Sequence, residues 1–169
     1  SDLIVGAGGA DINGNNSGSS YVVFGKTTTT AIELSDVNAG SNGFSINGVT
    51  ATDLSGFSVS NAGDVNGDGL DDVIIGAYGD DPNGESSGAS FVVFGKTTNT
   101  TIELSNVDAG TGGFVINGVS ANDNSGRSVS NAGDINGDGL DDVIIGAYND
   151  DPHAGNTDDG SSFVVYGKT

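Results

Sequence analysis

Nine residues carry the clearest chemistry in this chain: Asp64-Val65-Asn66-Gly67-Asp68-Gly69-Leu70-Asp71-Asp72. The same pattern returns as Asp134-Ile135-Asn136-Gly137-Asp138-Gly139-Leu140-Asp141-Asp142. In each copy, side-chain oxygens fall at loop positions 1, 3, 5 and 9, on Asp64, Asn66, Asp68 and Asp72, and on Asp134, Asn136, Asp138 and Asp142. A hard cation such as Ca²⁺ takes six to eight oxygen ligands at about 2.3–2.6 Å, and such a spacing supplies them from one short segment. Gly69 and Gly139 stand at position 6, where a positive φ folds the chain back around an ion. The backbone carbonyls of Leu70 and Leu140, at position 7, complete the expected ligand set, with the leucine side chains facing away into the core. One Ca²⁺ per loop is the cofactor expected, two in the chain.

Without an ion the convergent acids oppose one another. Two carboxylates ~4 Å apart repel by about 4 kcal/mol at an effective dielectric of ~20. A cation removes that repulsion and staples the segments on either side. The pattern is not an EF-hand, which needs Glu at position 12; Ile75 and Ile145 stand there, inside apolar runs. The competing reading is an Asx-rich turn that holds no ion, and a second copy at a fixed place in a repeat counts against it. Asp2 stands where Asp72 and Asp142 stand and is expected to close a third loop. Asp11-Ile12-Asn13-Gly14-Asn15 imitates the start of another loop but lacks the following Gly-x-x-Asp. Its place in the repeat matches Asp81–Glu85, so it is read as a decoy.

The elements that must position these loops are set by an internal repeat. SVSNAGD occurs at Ser58–Asp64 and at Ser128–Asp134, and NGDGLDDVIIGAY at Asn66–Tyr78 and Asn136–Tyr148. Asp2–Ala7 is a partial third copy, and YVVFGK, FVVFGK and FVVYGK end at Lys26, Lys96 and Lys168. Each repeat offers four strands. Phe57–Asn61 alternates apolar and polar residues, Asp72–Ala77 and Ser90–Phe94 are continuous apolar runs, and Gly113–Gly118 puts Phe114 and Ile116 on one side. Continuous runs imply burial on both faces. No window sustains a 3.6-residue apolar period, so almost no helix is expected.

The fold class is therefore all-β. Four antiparallel strands per repeat, with the middle strands buried on both faces, fit β-propeller blades sandwiched between neighbours. A sandwich gives no reason for a long repeat, and solenoid coils are shorter, about 20–30 residues. The expected organisation is a partial blade over residues 1–50 (its last three strands), a complete blade over 51–120, and a partial blade over 121–169 (its first three strands). About two and a half blades make an incomplete ring, since propellers need about 4–8. A segment of a longer protein and an open self-assembling array both remain as explanations.

Composition narrows the partners. Four basic residues face 23 acidic ones, for a formal charge of -19. Such a chain repels phosphate backbones and anionic lipid, so neither nucleic acid nor membrane insertion is expected. No cysteine is present, so no disulfide framework exists. The single histidine, His153, lies in an unrepeated loop and is read as solvated rather than catalytic. The acidic pair Asp158-Asp159 in the same loop is read as a solvated turn. No catalytic residue is assigned, and the chain is expected not to be an enzyme.

The signature Ser-Val…Gly-Asp-x-Asn-Gly-Asp-Gly-x-x-Asp, followed by an apolar run and Gly-Ala, resembles the FG-GAP repeats of integrin alpha-subunit propellers and their bacterial relatives. It spans Ser58 to Ala77 and Ser128 to Ala147, with the partial copy from Asp2. The resemblance implies a seven-bladed propeller with Ca²⁺ in these loops, on the face away from the usual ligand-binding surface. It also implies a secreted or cell-surface, structural or adhesive module, with a protein or glycan ligand. A self-assembling extracellular fibre or matrix subunit, associating through incomplete blades, is the alternative; the accessory propeller of a secreted hydrolase comes third. The Phe-Gly element reads Ser55-Gly56-Phe57 and Ser125-Gly126-Arg127, and Gly-Ala-Pro reads Gly-Ala-Tyr at Tyr78 and Tyr148 and Gly-Ala-Gly at Gly8.

Overall fold

A computed structural model describes residues 1–152 and 159–169. His153 and Asp158 lie outside the described residues. The apolar runs form β5 (Asp72–Ala77) and β6 (Ala89–Val93), paired antiparallel with Ile75 opposite Phe91. β4 (Ser58–Gly63) flanks β5 and β8 (Gly113–Asn117) flanks β6, giving the order β4-β5-β6-β8. This is the four-stranded blade that the repeat predicts. Ahead of it, β1 (Leu3–Ala7), β2 (Ser19–Val23) and β3 (Gly43–Asn47) form the same antiparallel series. Behind it, β9 (Ser125–Gly133), β10 (Asp142–Ala147) and β11 (Ser161–Val165) repeat the first three strands. The protein is all-β, a series of propeller-type blades that form no closed barrel among the described residues.

Burial shows why two strands per blade are apolar throughout. Ile75, Phe91 and Val93 join Val22, Phe44 and Ile46 of the preceding blade in one core. Ile74 and Val92, pointing the opposite way, join Val143 and Ile145 of the following blade in a second. The middle sheet is thus packed on both faces, as a sandwiched blade must be.

Three features depart from the sequence reading. The link between the third and fourth strands holds a short helix in each repeat, α1 (Leu34–Asn38) and α2 (Leu104–Asp108), which bury Val37 and Leu104 with Val107. Five residues make little more than one turn, too short for a 3.6-residue period to register. A two-residue strand, β7 (Ile102–Glu103), pairs parallel not with its own blade but with β3 of the blade before it. Phe57 lies outside β4 and is exposed rather than buried in the blade.

Candidate metal centre

Each loop begins with a strand irregularity. Asn61 pairs with Val73 and Gly63 with Asp72, so Ala62 is an extra residue on β4; Asn131, Gly133, Val143 and Asp142 repeat this in β9 and β10. A bulge of this kind bends the strand and re-aims the residues after it. Gly63 and Gly133, at φ +75° and +69°, supply the positive φ the bend uses. The loop is thereby thrown out of the sheet at Asp64 and returns to it at Asp72.

Inside the loop the Asp64 carboxylate collects backbone donors. Its Oδ1 accepts from the N–H groups of Gly67 at 2.8 Å and Asp68 at 3.0 Å, and its Oδ2 from that of Gly69 at 3.0 Å. Asn66 Oδ1 accepts from Asp68 N–H at 2.8 Å, and Asp68 Oδ1 from Leu70 N–H at 2.9 Å. Asp134, Asn136 and Asp138 make the same set with Gly137, Asp138, Gly139 and Leu140. Gly69 and Gly139 have φ of +86° and +92°, as position 6 requires, and Gly67 and Gly137 at position 4 share the conformation.

Asp72 and Asp142 lie beneath the loops, fully buried. Asp72 Oδ2 accepts from Val65 N–H at 3.0 Å and Oδ1 from Gly95 N–H at 2.7 Å. Asp142 does the same with Ile135 and Gly167, each at 2.9 Å. Asp2 accepts from Gly25 N–H at 2.9 Å, which places it at the same point of the first sheet. Burial pushes the Asp72 carboxyl up to about 6, against the pull of its two N–H donors, and the Asp68 and Asp64 carboxylates add to the rise.

These residues fit a hard cation. All side-chain donors are oxygens, and the turn is already folded back on Asp64. The oxygens of Asp64, Asp68 and Asp72 each accept a hydrogen bond, but a carboxylate has about four acceptor sites, so each retains capacity. Among the described residues no three acidic or imidazole groups close into a metal-binding cluster. The Asp64 and Asp68 carboxylates lie close enough to act on the Asp72 charge, but the three do not converge on a point.

Leu70, at loop position 7, does not turn its side chain into the core as expected. Leu70 is 36 % exposed; its Cβ lies over Gly95, where an added Cβ would stand 2.7 Å away. The core position is taken by Val65, at loop position 2, which is fully buried. Sequence reasoning also passed over Asp141. Its Oδ2 accepts from Asp64 N–H at 2.9 Å, and its own N–H donates to Asp64 O at 3.1 Å, across the blade boundary. The repeated Asp-Asp doublet was the available signal.

The FG-GAP repeat model matches residues 55–93 and 125–165. The chain carries two FG-GAP repeats. Each match contains one complete acidic loop and the strands on both sides of it. No curated protein matches the chain. At the other end of the FG-GAP blades, Gly56 and Gly126 let the backbone approach the preceding sheet: an added Cβ would stand 2.5 Å from Ser19 O and 2.3 Å from Ala89 O. Arg127, standing where Phe57 does in the earlier repeat, lies over the rings of Phe57, Tyr78 and Tyr148 at 5.2, 5.1 and 4.6 Å. At that end Asp11 accepts from Asn16 N–H and Asp81 from Ser86 N–H, so both shape the turn between the second and third strands of their blades. Next to Asp81, burial and then the Asp53 carboxylate push Asp80 up to about 6.

Proposed function

We propose that the chain is a Ca²⁺-stabilised structural module, with one ion in each of the loops 64–72 and 134–142. The observation that carries this reading is the identical folding of both loops about Asp64 and Asp134. A turn drawn together by its first aspartate brings the side chains at positions 1, 3 and 5 close to one another, and oxygen donors at that spacing are the kind a hard cation takes. Bound Ca²⁺ would neutralise Asp64, Asp68 and Asp72 together, removing a repulsion that burial makes worse for Asp72. It would join β4 to β5 through Asp64 and Asp72, and β9 to β10 through Asp134 and Asp142. FG-GAP repeats are typical of extracellular and cell-surface proteins, where millimolar Ca²⁺ suits weak, rigid sites with Kd near 10⁻⁴–10⁻³ M. We place this module there, in a scaffolding or adhesive role rather than a catalytic one. Among the described residues no helix is long and apolar enough to cross a membrane.

Calorimetric titration tests the reading. Two ions per chain are expected, falling to one in either Asp64→Ala or Asp134→Ala. At free Ca²⁺ about tenfold above Kd each site adds about 1.4 kcal/mol, so chelator should lower Tm by roughly 3–6 °C per site. No uptake in millimolar Ca²⁺ and an unchanged Tm in chelator would sink it.

A further inference from the structure

We propose that the two loops are energetically coupled, with an ion in loop 134–142 tightening binding in loop 64–72 through Asp141 and Asp142; this rests on the calcium reading above. The physical link is a seat. Loop 64–72 rests not on its own blade alone but on two segments of the next one. Asp141 exchanges two hydrogen bonds with Asp64, at 2.9 and 3.1 Å. The Lys168 N–H donates to Val65 O at 2.9 Å. The first two loop residues, including the ligand Asp64, are thus held by the 141 and 168 segments.

Asp142 holds both of those segments. It is the residue after Asp141, and its Oδ1 accepts from Gly167 N–H at 2.9 Å, one residue before Lys168. Asp142 is also the position 9 ligand of its own loop. An ion that fixes Asp142 therefore fixes the seat of the loop ahead of it. Gly63 records the closeness of the fit. A Cβ there would stand 2.1 Å from Asp141 Oδ2, whereas at Gly133, the same repeat position, nothing lies within 4 Å. Asp141 adds negative charge beside Asp64, which favours a cation in loop 64–72 directly. Coupling between binding sites is reciprocal, and typical values begin at about fivefold.

The test reads loop 64–72 alone in the full chain. Leu70→Trp keeps the position 7 carbonyl and places a donor ring at a partly exposed site, so that Tb³⁺ in this loop gives sensitised emission and Ca²⁺ displaces it. In that background, Asp134→Ala empties the other loop, and Asp141→Ala removes the side-chain acceptor that holds Asp64 N–H. Each should weaken Ca²⁺ binding in loop 64–72 about fivefold. The double variant should be little weaker than Asp141→Ala alone, because that substitution already cuts the link through which loop 134–142 acts. Two-site calorimetry of the chain without Leu70→Trp repeats the comparison should that substitution disturb folding. Unchanged affinity in Asp134→Ala, or losses that multiply in the double variant, would overturn the coupling. A wild-type chain that takes up no Ca²⁺ is a different result, and overturns the calcium reading itself.

Discussion

Gly63 and Gly133 occupy one position of the repeat and carry nearly the same φ, +75° and +69°, yet only Gly63 has a neighbour where its Cβ would be. Alanine at Gly133 bears the left-handed backbone cost alone, about 1 kcal/mol. At Gly63 it must also displace Asp141, and overpacking of that kind adds ~1–3 kcal/mol. Denaturant midpoints of the two variants should differ in that order; equal losses would show that the Asp141 contact is not made. Asp80 gives a pH-dependent counterpart. Its carboxyl is pushed from the ordinary 3.8 up to about 6, first by burial and then by Asp53. The folded state thus holds a proton the unfolded chain releases earlier, and the stability this provides is complete below 3.8 and lost as pH rises through about 6. Asp80→Asn keeps an acceptor for Asp81 N–H and removes the ionisable group. It should raise Tm at about pH 7.5 and leave it unchanged below about pH 4.

Among the elements, β7 ties one blade to the next. Glu103 accepts from Asn47 Nδ2 at 2.8 Å and from Asn13 Nδ2 at 3.1 Å, both in the preceding blade. Beside it, Thr101 and Ser45 hydroxyls lie 3.1 Å apart. The parallel pairing of Ile102 and Glu103 with Ile46 and Asn47 covers an edge that β3 would otherwise present to other strands. Glu33 holds the same repeat position and is exposed. Glu103→Ala should cost about 1 kcal/mol, since its carboxylate bonds are partly solvated. Glu33→Ala should fall within about 0.5 kcal/mol of wild type. Thermal melts of the pair decide whether the edge clasp contributes to stability.

At the scale of the molecule, the two apolar cores lie at the boundaries between blades. Ile74 is fully buried between two blades, while Ile144, the same residue one repeat later, is 36 % exposed. Val65 and Ile135 diverge in the same way, at 0 % and 57 %. Ile74→Ala should cost about 2–5 kcal/mol, and Ile144→Ala less than half of that, because much of its surface already meets water. Similar losses at both sites would mean that the third sheet is covered by another copy of the chain under the conditions of the measurement. The formal charge of -19 acts on the whole assembly by self-repulsion, which salt screens.

The sequence alone determined the all-β class, the strands of each blade, the place of the acidic loops and the equivalence of Asp2, Asp72 and Asp142. These are carried by neighbouring residues: a period of two, a continuous apolar run, glycine where φ must be positive, and oxygen donors at alternate positions. Tertiary structure decided the rest. That Val65 rather than Leu70 enters the core, that Asp141 and Lys168 seat the loop ahead of them, and that β7 joins the previous blade all depend on how one sheet lies against the next. Such contacts link residues from 56 to 103 positions apart, and the spacing along the chain holds no local preference that would reveal them.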